Sequence, residues 1–116
     1  MGLSTHVLDT MHGCPAAGMP AELHRVVGGH SSLVRRFTLN QNGKSDTPLY
    51  ADGELEIGNY CLVFEVAQYF RSRGVALPDP PFLDRVQIDF GIADTKQHYH
   101  VPLLVSPWSY STYRGS

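Results

Sequence analysis

The sequence predicts an all-β fold, and three observations carry that reading. Short runs rich in Val, Leu, Tyr, Phe and Thr recur at even spacing, clusters of Gly, Pro and Asn separate them, and only one stretch, Ala67 to Arg73, breaks the strand pattern. Short strands punctuated by turn residues build a sandwich or barrel, whereas alternating β and α units would build a parallel α/β fold.

Taken in order, Leu3 to Asp9 reads as a first strand, followed by a loop of small residues and proline from His12 through Pro20. Ala21 to Val27 and Leu33 to Leu39 form a hairpin around Gly28-Gly29-His30, because paired glycines admit the positive φ of a tight turn. Asn40-Gln41-Asn42-Gly43-Lys44 is a strong turn signal that presents its polar side chains from a loop edge. Gly58 to Val66 is a strand, and Ala67 to Arg73 a two-turn helix stopped at Gly74. After the stiff Pro78-Asp79-Pro80-Pro81 connection come three last strands, Arg85 to Ile92, Tyr99 to Val105 and Ser109 to Gly115.

A chain of 116 residues forms one domain, residues 1–116. Nine Lys plus Arg stand against eleven Asp plus Glu, a net charge of -2, which gives no electrostatic case for binding nucleic acid or an anionic membrane. The longest apolar runs fall far short of the roughly 20 residues of a membrane-spanning helix, and no basic-then-apolar leader opens the chain, so a cytoplasmic setting is expected. Cys14 and Cys61 lack the spacing of a disulfide framework or a zinc knuckle and are expected as reduced, mostly buried thiols.

Six histidines are the chief chemical signal, since an imidazole titrates near neutrality and is the commonest general base. His12, His24 and His30 sit among polar neighbours in loops or on the hairpin flank and read as solvated side chains. His6 is mid-strand, where a packing role would more cheaply use an aliphatic residue. His98 and His100, two apart on a strand, point to one face and could form half of a metal site or line a catalytic pocket. A metal site would need further ligands, and the remaining carboxylates are scattered. Ser111 or Ser116 as nucleophile lacks a Gly-x-Ser-x-Gly elbow. Lys44 by itself is a surface cation that a pocket partner would turn into an anion holder. On these grounds alone the chain is a β-sandwich with a histidine-lined site and no substrate.

Three segments go further. Leu3-Ser4-Thr5-His6-Val7-Leu8-Asp9, Phe90-Gly91-Ile92-Ala93-Asp94, and the ending from Tyr99 through Tyr113-Arg114-Gly115-Ser116 resemble the transthyretin-related 5-hydroxyisourate hydrolases over essentially the whole chain. The final Tyr-Arg-Gly-Ser is specific to the hydrolase branch and absent from the hormone-carrying transthyretins. The resemblance implies a transthyretin-like sandwich of two four-stranded antiparallel sheets with one short helix, assembled as a homotetramer, a dimer of dimers with active sites in the channel between dimers. It also implies hydrolysis of a purine-derived small molecule without cofactor or metal.

By the same resemblance His6, His100, Lys44 and Ser116 are the catalytic residues, and His6, Lys44 and Tyr113 hold substrate. His98 matches no required position and returns to a bystander. Lys44 stands where the family carries arginine, which keeps the charge and loses the planar two-pronged donor. Three alternatives remain at this level: a transthyretin-like carrier of a small ligand without catalysis, a metal-dependent cyclic amidase using His6, His98 and His100, and a purely structural or interaction protein, in which the mid-strand histidines and the final tetrapeptide would have no purpose.

Overall fold

The computed structural model describes residues 2–50 and 53–115. Two four-stranded sheets face each other. The first has the order β2-β1-β7-β8 and the second β4-β3-β5-β6, with β1 Leu3–Asp9, β2 Cys14–Pro15, β3 Pro20–Val27, β4 His30–Thr38, β5 Gly58–Glu65, β6 Arg85–Ile92, β7 Tyr99–Val105 and β8 Tyr110–Thr112. Helix α1, Val66–Ser72, follows β5 directly.

The alternation of the strands explains the two layers. Along β1, Leu3, Thr5, Val7 and Asp9 are buried while Ser4, His6 and Leu8 alternate outward. In β7 the inward residues are Tyr99, Val101, Leu103 and Val105. These meet Leu23, Tyr60, Leu62, Phe64 and Val86 of the second sheet in one core. Each fully buried Leu, Val or Phe side chain contributes roughly 1.5–3 kcal/mol from leaving water, so this inner layer fixes which face each strand turns outward. Buried Thr5 meets the requirement for a partner by donating to the Val101 carbonyl at 2.7 Å.

Several expectations are corrected. The first sheet is not wholly antiparallel: β1 and β7 run parallel, in register from Leu3 opposite Tyr99 to Asp9 opposite Val105. A parallel pair needs a long crossover, and here the whole second sheet lies within that connection. The small-residue loop contains the two-residue strand β2, paired with Leu8 and Asp9. The final strand is shorter than expected, Tyr110–Thr112, with a separate bridge joining Gly115 to His100. His30 is not in the turn but opens β4, since Gly28 (φ 57°) and Gly29 (φ 81°) make a two-residue turn by themselves.

His12 is more than a solvated loop residue. Its imidazole Nδ1 lies 2.6 Å from Asp9 Oδ2 and its backbone N–H donates to Asp9 Oδ1 at 2.9 Å, while Tyr69 of α1 donates its hydroxyl to Asp9 Oδ2 at 2.7 Å. The buried carboxylate thus ties the end of β1 to the helix. Burial alone would raise the Asp9 pKa, but the hydrogen bonds from His12 and Tyr69 outweigh it and hold the carboxyl below its usual range. Both thiols are unpaired, Cys61 buried and Cys14 half-buried, and burial followed by the Asp89 carboxylate pushes the Cys61 thiol up to about 12.

Candidate active site

The outward face of the first sheet gathers the chemistry. Because β1 and β7 are parallel with Ser4 opposite His100, the Ser4 hydroxyl reaches across the strand pair to His100 Nδ1 at 2.8 Å. It also lies 3.0 Å from His98 Nε2, and the Gly2 backbone N–H donates to His98 Nδ1 at 3.3 Å. His6 follows Ser4 on the same face of β1, opposite Pro102.

Lys44 arrives from the loop predicted as a turn. Asn40 organises it: its N–H donates to the Lys44 carbonyl at 2.7 Å and its Oδ1 accepts from the N–H groups of Asn42 and Lys44 at 2.8 and 3.2 Å. The Gly43 carbonyl then accepts from the Val7 N–H at 2.9 Å, which docks the turn on β1 beside His6. Gly43 has φ 75°, and a Cβ there would lie 2.5 Å from the Val7 carbonyl oxygen and 3.3 Å from His6 Cδ2. Only glycine permits both the backbone conformation and the approach.

Lys44, Ser4, His98, His100, Asp46 and Tyr50 are among the residues lining a cavity of about 540 Å³, within the roughly 300–1,000 Å³ of small-molecule sites. Burial, then the neighbouring His6, His98 and Lys44, holds the His100 pKa below the ordinary imidazole value. A neutral imidazole beside a cation suits proton transfer and stabilisation of a developing oxyanion. Among the described residues no three His, Cys, Asp or Glu side chains converge to hold a metal ion.

The model of the HIUase/transthyretin family matches residues 3–115. The chain belongs to that family. Among its relatives, 5-hydroxyisourate hydrolase of Pseudomonas aeruginosa is 52% identical over 114 residues, 98% of this chain and 90% of that protein. The crystal structure of (S)-allantoin synthase superposes with a TM-score of 0.93 at 46% identity; the match covers 99% of this chain and 43% of that one. Sea bream transthyretin in complex with thyroxine superposes with a TM-score of 0.87 at 22% identity, over 99% of this chain and 95% of that one, a likeness of fold alone.

In this member of the HIUase/transthyretin family, then, His6 and His100 lie on one face of the first sheet, and Lys44, from the loop docked on β1, lines the cavity with His100, whereas His6 is not among that cavity's lining residues. Tyr113 does not join them within the chain: 62% exposed, it lines a second cavity of about 380 Å³ with Phe90, Tyr99, Val101 and Thr112. Arg114 lies over the Tyr99 ring, 4.2 Å from its centroid, and donates to Gln97 Oε1 at 2.7 Å. Ser116 lies outside the described residues. Ser4 and His98 belong to the constellation although sequence reasoning passed over the first and dismissed the second. The signal that could have found them is the parallel β1–β7 register, which no local pattern reveals.

Proposed function

We propose that this chain hydrolyses 5-hydroxyisourate to 2-oxo-4-hydroxy-4-carboxy-5-ureidoimidazoline in urate catabolism, by a histidine-activated water and without metal. The observation that carries the reading is the meeting of His100 and Lys44 on one cavity, in a chain 52% identical to a protein named for this activity. Water, activated by one of the two histidines, attacks the carbonyl of the six-membered ring. The Lys44 ammonium holds the developing oxyanion and the anionic purine skeleton. By the same reading Tyr113 and Ser116 complete the substrate contacts from the channel between dimers.

That last element requires assembly as a homotetramer, and the setting proposed with it is cytoplasmic. The exposed strand β8 and its flanks, with Tyr110 46% exposed in the strand and Trp108 57% and Tyr113 62% exposed on either side, support assembly, because unpaired edges and apolar surface are covered by pairing in stable proteins. Among the described residues no helix is long and apolar enough to cross a membrane.

The test is an ultraviolet assay of freshly generated 5-hydroxyisourate, with light scattering on the same sample. Ring opening faster than spontaneous decay, surviving prolonged chelation, together with a tetrameric mass is expected. Tight binding without turnover would support the carrier alternative, loss of turnover on chelation the metal-dependent amidase, and a fully active monomer would remove the site between subunits.

A further inference from the structure

The hydrogen bonds around Ser4 determine where the protons of two histidines sit. The Gly2 amide N–H can only donate, so His98 Nδ1, 3.3 Å away, accepts. Neutral His98 therefore carries its proton on Nε2 and donates it to Ser4 Oγ, at 3.0 Å. The hydroxyl has a single hydrogen, which remains for His100 Nδ1 at 2.8 Å. His100 Nδ1 thus accepts, and the His100 proton lies on Nε2. The opposite polarity would put a proton on His98 Nδ1, facing the Gly2 N–H donor to donor.

We propose that His98 is a positioning residue for His100. Acting through the Ser4 hydroxyl, it holds neutral His100 as the Nε2–H tautomer, which makes His100 a hydrogen-bond donor to the scissile carbonyl and leaves proton abstraction from water to His6. The assignment of catalytic roles rests on the hydrolase reading above; the tautomer does not. Among the described residues the groups acting on His100, namely His6 from β1, His98 beside it and Lys44 from the turn, all disfavour an imidazolium.

The resulting step balances. His6 takes a proton from water as the water oxygen bonds to the carbonyl carbon, and the carbonyl π pair moves onto oxygen between His100 Nε2–H and Lys44. Collapse breaks the carbon–nitrogen bond, and the proton on His6 passes to the leaving nitrogen.

The experiment is nitrogen-15 NMR of the imidazoles in histidine-labelled protein, paired with steady-state kinetics. The wild type should show His100 with a protonated Nε2 and an unprotonated Nδ1. Ser4→Ala and His98→Leu should each give a tautomer mixture and lower kcat about tenfold or more with little change in KM. His98→Gln, whose amide can donate near the position of Nε2, should restore part of both. Because His98 is exposed at the surface, its variants test the relay without disturbing the core. A wild-type His100 protonated on Nδ1, or a tautomer unchanged in both variants, overturns the proposal whatever the activity. The expected tautomer shifts in a protein without catalysed ring opening would sustain the relay and remove only the hydrolase reading.

Discussion

Gly115 lies against the His100 imidazole so closely that a Cβ added to it would sit 2.6 Å from Cδ2 and 3.2 Å from Cγ. Its backbone N–H donates to the His100 carbonyl at 2.8 Å. Gly115 is therefore small for a steric reason, and its backbone is pinned to a site histidine. Gly115→Ala should force the ring from its place against Ser4 and lower kcat by roughly tenfold or more, with a melting temperature close to wild type because Gly115 is outside the core. Extending the chain beyond Ser116 should impair turnover in the same way. Turnover and thermal melts on both proteins check this.

The Lys44 backbone is held by the Asn40 turn, which presents its exposed side chain at the cavity. Lys44→Ala should lower kcat/KM on the order of 10²-fold, the size expected for losing one oxyanion donor. Lys44→Arg should preserve or raise activity, since the forked guanidinium supplies two donors to the same region. Steady-state kinetics on both variants decides; an inactive arginine variant would mean the pocket is fitted to lysine.

The pH dependence has a definite sign. A neutral histidine base makes the rate fall as pH drops through the histidine range, which lies at about 6.5 for an unperturbed imidazole. His100, held below that value by burial and then by His6, His98 and Lys44, should titrate on the acid side of it. Removing a neighbouring cation makes an imidazolium easier to form, so Lys44→Ala should move the His100 midpoint upward while Lys44→Arg should not. NMR titration reads the midpoint directly. A rate that stays flat from pH 5 to 8 would count against histidine as base.

Asp9 predicts an acid-sensitive fold. Its carboxyl is held below the usual range by the bonds from His12 and Tyr69, so its stabilisation is present above the unfolded-state pKa and is lost as pH falls through the folded value. Asp9→Asn replaces a buried acceptor of three hydrogen bonds and should cost about 1–3 kcal/mol near neutral pH. It should also flatten the dependence of stability on acid. Urea denaturation at several pH values measures both effects.

The strand-rich architecture is legible in the residues alone, because alternation between buried and exposed side chains is a local property. Leu3–Asp9, Arg85–Ile92 and Tyr99–Val105 have the bounds their patterns predict, and the Asn-Gly turn forms where its residue types require. The two-residue β2 was illegible since its partners lie in β1 rather than in its own pattern. Resemblance carried His6, His100 and Lys44 onto this chain, and residue type alone could not have chosen them among six histidines and nine cations. Only the tertiary structure decided that β1 and β7 run parallel, with residues 96 apart in sequence brought into contact. That pairing turns Ser4 from an ordinary strand serine into the link between His98 and His100. The physical reason is that strand direction and register are set by burying the inner faces of two sheets together, a collective effect absent from any single strand.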